Sequence, residues 1–271
     1  MGCNMNHTAD DQWIGLLGRF STEGVIRHSR NLDYYELINH TSVIDMTKCV
    51  VSIDKRKLGY KFMPAEALWI LSGSNQVAAI SNYGDIARYS DNGLVFNGAY
   101  GPKITEQLVY VEECLLEDPG SRQAVITIWR ESPRPSKDIP CTIALQFLIR
   151  NNLLNCIATM RSSDTWMGWP YDVFNFSMVS TALVLKLGKY LPIGLGMLYL
   201  NAGSQHLYVK DYEKAIKCVD HGVTRDYTPL DISSLTSPDD LLNHLVCLRN
   251  NVLMPEYDNC LFAKEICQWQ K

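Results

Sequence analysis

The sequence has no apolar run long enough to cross a bilayer: its most apolar stretch, Tyr190 to Leu200, falls well short of the roughly 20 residues a spanning helix needs. It has no C-x-x-C pair, although cysteines stand at 3, 49, 114, 141, 156, 218, 247, 260 and 267. An odd, irregular set of this kind reads as reduced thiols in the cytoplasm rather than a disulfide framework. No G-x-x-x-x-G-K-[ST] phosphate loop, H-E-x-x-H or G-x-S-x-G is present, so the chemistries tied to those motifs have no support. A zinc deaminase would require H-x-E followed by P-C-x-x-C, and Pro140-Cys141 lacks the second cysteine. No metal is called for. Internal repeats are absent, which excludes solenoids and propellers. A net charge of −4 provides no general attraction to nucleic acid, so neither nucleic acid nor membrane is an expected partner, although a local arginine cluster can still hold one phosphate. The opening Met-Gly-Cys-Asn-Met-Asn approaches a myristoylation signal but has Asn6 where Ser or Thr is required, and is not read as lipidated.

What is present suits a folded core, with 46% hydrophobic and 20% charged residues. One catalytic domain over residues 1–271 is expected, with polar residues 1–12 loosely ordered. Val43-Ile44 and Val50 to Ile53 are strand candidates. Pro64 to Gly73 reads as a helix with Pro in its first turn and Gly past its end. Residues 75–102, rich in Asn, Asp, Ser and Gly, read as loop, followed by a helical period over Gln107 to Leu116 and a strand over Ala124 to Trp129. Arg130 to Asp138, broken by prolines and serines, is a connection. Thr142 to Arg150 and Leu153 to Met160 are β-prone runs joined by Asn151-Asn152, a pair that tolerates positive φ and suits a tight hairpin turn. Val173, Phe176, Val179, Leu183 and Leu187 fall three or four apart, predicting a long helix packed on that hairpin. A strand near Leu195 to Leu200 and a Ser237-capped helix beginning at Pro238 complete the pattern. Strands and helices mix without regular βαβ alternation, so the class is α+β with a mixed sheet.

Between the hairpin and the long helix, Met160 to Asp172 concentrates an Arg, two Ser and two Asp, and polar groups at such a junction usually meet a ligand. Upstream stands Cys141, at the entry to a strand. A thiol is a strong nucleophile as its thiolate, which positive neighbours favour. The other cysteines read as buried filler. Arg161 and Arg122 lie at strand ends beside serines, an arrangement suited to a phosphate dianion, whereas Arg134 and Arg150 read as solvated surface.

Together, Pro140-Cys141, the strand with Gln146-Phe147, Arg161-Ser162-x-Asp164, Gly168-x-Pro170-Tyr171-Asp172 and His206-x-Tyr208 resemble the thymidylate synthase superfamily. Cys141-Thr142, the Gln-Phe-Leu-Ile-Arg run from 146 and Met160-Arg161-Ser162 are most similar to its deoxycytidylate hydroxymethylase branch. The resemblance is dense from Ser121 to Tyr212 and thinner at Ser29-Arg30-Asn31, Ala65-Glu66-x-Leu68-Trp69 and Ala99-Tyr100-Gly101. It implies a mixed β-sheet layered with helices, packed back to back in a homodimer, a pyrimidine nucleotide monophosphate beside Cys141, and 5,10-methylenetetrahydrofolate as co-substrate. By the same resemblance Cys141 adds to C6 of the base, Glu66 manages water and proton transfers, and Tyr100 helps the C5 proton leave. Arg161, Ser162 and Arg30 hold the 5′-phosphate with Arg122 from the partner subunit; His206 and Tyr208 bind the sugar; Asp164 and Trp69 lie on the folate side.

Asp172 carries the expected choice of base. Thymidylate synthases place an Asn there, which serves uracil; a carboxyl group instead accepts from the cytosine amino group and, carrying a proton, completes a second bond at N3. An unmatched buried pair costs roughly 1–3 kcal/mol, which is enough to discriminate. As a helix cap alone, Asp172 would need no such partner. The expected product is 5-hydroxymethyl-dCMP, formed by water capturing the C5 methylene, and the lack of Trp between Gly73 and Tyr100 is consistent with hydration. CMP hydroxymethylation, thymidylate synthase-type methylation and a catalytically silent nucleotide or RNA binder are the alternatives. Gln123, Gln205 and Lys210-Asp211 depart from the family pattern, and Gln205 with Lys210-Asp211 raises the option of a ribose substrate. The closing Gln268 to Lys271 does not resemble the family's tail.

Overall fold

The computed structural model describes residues 7–131, 135–222, 228–252 and 261–270; Arg134 lies outside them. Six strands form one sheet: β1 (Val25–Ser29), β2 (Leu32–Asp45), β3 (Val125–Thr127), β4 (Thr142–Arg150), β5 (Leu153–Asp164) and β6 (Gly194–Tyr208), in the order β1-β2-β6-β5-β4-β3. All neighbours are antiparallel except β5 and β6. A parallel pair requires a crossover, and α4 (Trp169–Leu187) supplies it. The other helices are α1 (Ala9–Thr22), α2 (Phe62–Leu71), α3 (Tyr100–Glu117), α5 (Val209–His221), α6 (Pro238–Asn250) and α7 (Leu261–Trp269). The class is therefore the expected α+β with a mixed sheet. Among the described residues no helix is long and apolar enough to cross a membrane.

Helix α4 is the centre of the molecule. The periodic residues Val173, Phe176, Val179, Leu183 and Leu187 are all buried, but so are most residues between them. Polar members survive there because Ser177, Ser180 and Thr181 each donate to the carbonyl four residues back, at 2.7–2.8 Å. Trp13 of α1 and Trp169 are fully buried with their N–H groups satisfied, Trp13 by the Thr165 carbonyl and Trp169 by Ser42 Oγ. Trp13 also leans on Trp166, and Arg56 lies 4.5 Å over the Trp166 ring while donating to its carbonyl. This stack fixes the turn between β5 and α4.

The Asn151-Asn152 hairpin has φ of +53° and +60°, as the sequence demanded, and Ser237 caps α6 through Asp240 N. Several elements differ from the sequence reading. Residues 9–12 are helical, not loose: Thr8 caps α1 through the Asp11 amide, and Asp10 is buried against Ser52. Val50 to Ile53 is buried but not a strand, because the Ser52 amide goes to the Asp10 carboxylate instead of a neighbouring chain. Helix α3 starts at Tyr100 rather than 107, and β6 runs on to Tyr208.

The last difference has a local cause. A row of irregularities crosses the sheet. Asn39, with φ +54°, and Gly203 both drop out of the β2–β6 register, Arg161 faces Gly203 without pairing, and the β4–β5 register shifts between Thr142 and Ala144. A Cβ on Gly203 would stand 3.3 Å from the Arg161 carbonyl, which explains a glycine there. Burial changes phase across this row: Leu198, Leu200 and Ala202 are buried before it, Gln205 and Leu207 after it. On the sheet face away from α4, Leu148, Leu153, Ile157 and Tyr199, together with Arg150 and Asn155, line a shallow cavity of about 480 Å³.

Candidate active site

Beyond the bulge row the sheet opens into a cleft. Cys141, Glu66, Tyr100, Asp172, Arg161, Ser162, Asp164, His206 and Tyr208 are all half-buried, whereas most of their chain neighbours are fully buried. Nine of the twelve expected site residues, drawn from α2, α3, α4, β5, β6 and the entry to β4, form one cluster linked by the action of their charges on one another and by the Ser162–His206 contact.

Cys141 directly precedes β4, and Arg161 builds its loop. The Arg161 amide donates to the Cys141 carbonyl at 2.9 Å, Nε to Pro140 O at 3.0 Å and Nη2 to Ile139 O at 3.1 Å, with Nη2 also 3.8 Å from the Cys141 sulfur. The guanidinium lies over the Trp129 ring. Positive charge at the thiol is therefore present, yet burial pushes the Cys141 thiol up, Arg161 pulls it down, and Asp172, Asp138 and Asp164 push it further up. Without a ligand the group is a thiol rather than a thiolate.

Tyr100, at the start of α3, accepts the Thr142 amide on its phenol oxygen at 3.3 Å, which puts that oxygen beside Cys141. Burial, then Asp172 and Cys141, raise it well above the usual phenol range, so it holds its proton. The loops carrying the two residues are laced together: Asp91 accepts from Ser136 Oγ, the Lys137 amide and Asn97, and Asp138 accepts the Gly98 amide.

Glu66 and Asp172 face each other from α2 and α4. Glu66 lies in α2, three residues after Met63, and burial raises its carboxyl to about 7 against the opposing hydrogen bond from Asn175 Nδ2, which is 2.8 Å from Oε2. Asp172 is pushed well above the carboxylate range by burial, then by Glu66 and by Asp164. All three influences favour the protonated carboxyl over the carboxylate. Asn175 was not among the residues singled out in the sequence. The available signal was an amide in the apolar run Val173-Phe174-Asn175-Phe176, one helical turn from Asp172.

Asp164 closes β5. One of its oxygens accepts the Trp166 and Met167 amides at 2.9 and 3.0 Å, and the other has no hydrogen bond among the described residues. Burial raises Asp164 and lowers His206, so this neighbouring pair favours its neutral forms. His206 Nδ1 lies 3.4 Å from Ser162 Oγ and the ring sits edge-on to Tyr208 and Tyr34. Arg30, in the β1–β2 turn with φ +53°, is exposed but near enough for its charge to act on Tyr208.

The structure does not bring every expected residue to this cleft. Arg122 is exposed at the far end of β3, seven positions before the Trp129 that lies against Arg161, or about 20 Å of extended chain. It takes no part in its own chain's cleft. Trp69 is buried, its N–H bonded to the Gln76 carbonyl and its ring edge-on to Phe96, so it packs the 75–96 loop. Gln205 is buried on the other side of β6 from His206, donating to Ser163 and Thr165; it does not face a sugar, and as a sign of ribose it carries no weight. Lys210 lies over the Tyr208 ring and Asp211 is held by Lys214 in the first turn of α5.

The residues fit a reduced folate: the Asp164 oxygen left without a hydrogen bond among the described residues is an acceptor suited to a ring N–H, and Met167, whose amide bonds the other Asp164 oxygen, is half-exposed next to it.

A family model described as thymidylate synthase matches residues 11–246. A deoxyuridylate hydroxymethyltransferase of Bacillus phage SP01 is 30% identical over 178 residues, covering 58% of this chain and 45% of that relative. The chain thus spans less than half of that relative's length. A thymidylate synthase of Francisella tularensis subsp. holarctica is 22% identical over 229 residues, covering 75% of this chain and 81% of its own.

Proposed function

Because this chain belongs to the thymidylate synthase family, whose chemistry is folate-dependent modification of pyrimidine C5, we propose that it acts as a single catalytic unit converting dCMP, methylenetetrahydrofolate and water to 5-hydroxymethyl-dCMP and tetrahydrofolate. The observation that carries the reading is Asp172, an acid held between Glu66, Asp164 and the Tyr100–Cys141 pair. As the Cys141 sulfur bonds to C6 its thiol proton is released to water, and the electron pair of the C5=C6 bond moves toward N3 of cytosine. Asp172 supplies a proton there, after which its carboxylate faces two donors, N3–H and the 4-amino group. Cytosine N3 is a far better proton acceptor than uracil O4, so this acid favours cytosine. Tyr100 stands where a C5 proton leaves. Bound methylenetetrahydrofolate supplies one carbon at the formaldehyde level, with Asp164 holding its ring. Glu66 directs the water that completes the hydroxymethyl group. Arg161, Ser162 and Arg30 receive the phosphate, and His206 with Tyr208 the sugar.

The site calls for a second copy. Arg122 serves the phosphate only from a neighbouring chain, and the partly apolar face around Leu148, Leu153, Ile157 and Tyr199, with Arg150 and Asn155 among them, is a surface that back-to-back sheets would cover.

A second reading, hydroxymethylation of dUMP, is favoured by one specific observation. A neutral Asp172 can also donate to O4 and accept from N3–H, and the SP01 relative is named for deoxyuridylate. CMP hydroxymethylation and methylation are the remaining enzymatic outcomes. A side-by-side assay of dCMP, CMP, dUMP and UMP with product mass measured decides among them: the expected result is a dCMP product heavier by CH2O and no dihydrofolate. Dihydrofolate release would establish methylation, and a chain that binds nucleotide but releases no tritium from C5-labelled dCMP would be a silent binder.

A further inference from the structure

The Asn175 side chain is 3% exposed and is used on one side only. Its Nδ2 donates to Glu66 Oε2, while Oδ1, equally buried, has no hydrogen-bond partner among the described residues. A buried acceptor left unmatched costs on the order of 1–3 kcal/mol, and such groups in a native site usually serve a ligand or a water. The amide is rigid: the oxygen lies fixed relative to the nitrogen that grips Glu66, and helix α4 is closed around it by Phe174 and Phe176, both buried. Glu66 is thereby held at one oxygen, and because Oδ1 and Nδ2 share one carbon of the amide, the Asn175 oxygen lies within a few ångströms of the Glu66 carboxylate. Two acceptors side by side match the two protons of one water molecule.

We infer that Asn175 is a positioning residue that, with Glu66, seats the water that hydrates the C5 methylene. The inference rests on the hydroxymethylase reading. In the step concerned, the water oxygen bonds to the exocyclic methylene carbon and the electron pair of that C5=CH2 bond moves into the ring to rebuild C5=C6. The C6–S bond breaks with its pair returning to Cys141 as thiolate, and one water proton passes to the Glu66 carboxylate. The second water proton is held by Asn175 Oδ1 and stays on the product hydroxyl. Earlier steps, attack at C6 and loss of the C5 proton, do not use this water.

The test compares wild-type protein with Asn175→Ala and Asn175→Ser, using C5-tritiated dCMP and methylenetetrahydrofolate, and measures tritium release, hydroxymethylated product, nucleotide Kd and the pH profile. In the wild type, release and product should match. In N175A, product formation should fall at least tenfold while tritium release falls by less than about threefold, with nucleotide Kd unchanged and the acid limb moved to higher pH as Glu66 loses its donor. N175S, which keeps a donor but has no fixed acceptor, should restore the limb without restoring the ratio, and it carries the test alone if N175A does not fold. Equal falls in release and product, or wild-type rates in either variant, would overturn the water seat while leaving hydroxymethylation intact. Dihydrofolate released by the wild type would overturn the hydroxymethylase reading, and the seat with it.

Discussion

At the Asn151-Asn152 end of the β4–β5 hairpin the partly exposed side chains mix Leu148, Leu153 and Ile157 with Arg150 and Asn155; past the bulge row, on β5, they are the polar Arg161, Ser162 and Asp164. The two cysteines repeat the contrast. Cys156 lies inside the regular part of the sheet, fully buried, with its thiol pushed up to about 12 by burial. Cys141 lies past the register shift, half-buried, with Arg161 at its sulfur. Regular alternation gives every second side chain to the core and leaves the others on a uniform face. A row of bulges interrupts that pattern, re-aims the following residues and lets helices α2, α3 and α4 bring Glu66, Tyr100 and Asp172 to the same opening.

The contrast breaks most severely if the nucleophile is removed. Cys141→Ala should abolish turnover, by at least about 10³-fold in kcat, with tritium release from C5-labelled dCMP lost as well. Full tritium release from C141A would end the assignment of this cysteine. Glu66→Gln should reduce kcat by about 10²-fold. Because the Glu66 carboxyl is raised to about 7, its carboxylate accumulates only as pH rises through that value; wild-type kcat should climb through an acid limb near 7 and level off above it, and E66Q should lack the limb. Asp172→Asn should move the dCMP-to-dUMP preference toward dUMP by about 10–100-fold, read as a ratio of kcat/KM values. An unchanged ratio would remove base reading from this residue.

At the regular end the expected effects are on stability alone. Cys156→Ala should cost about 1–2 kcal/mol through the cavity it leaves, with kcat unchanged. The smallest effect is for Asn152→Ala, which puts a Cβ-bearing residue without an amide side chain at φ +60° and should cost about 1 kcal/mol in chemical denaturation. Loss of activity in either variant would mean that the two ends are coupled.

The sequence was most legible where one local rule sufficed. The Asn-Asn turn, the long helix from Val173 to Leu187 and the Ser237 cap each follow from residue chemistry within a few positions, and the motif residues named for the cleft came from resemblance. Half of β6 was not legible because Gly203 shifts the alternation, so Gln205 and Leu207 fall out of phase with Leu198 and Leu200. Val50 to Ile53 misled for a related reason: a short buried apolar run has no period to distinguish strand from loop, and the carboxylate of Asp10, 42 positions away from Ser52, decided it.

The sequence by itself determined the α+β class and which nucleophile, acids and arginines are available. The tertiary structure decided what each of them is. Burial, a property of the whole packing, raises the Cys141 thiol against the pull of Arg161, and raises the Asp172 carboxyl together with its acidic neighbours Glu66 and Asp164. Contacts between distant segments turn Trp69 and Gln205 into packing residues, leave Arg122 outside its own cleft, and join Asn175 to Glu66 across 109 positions of chain.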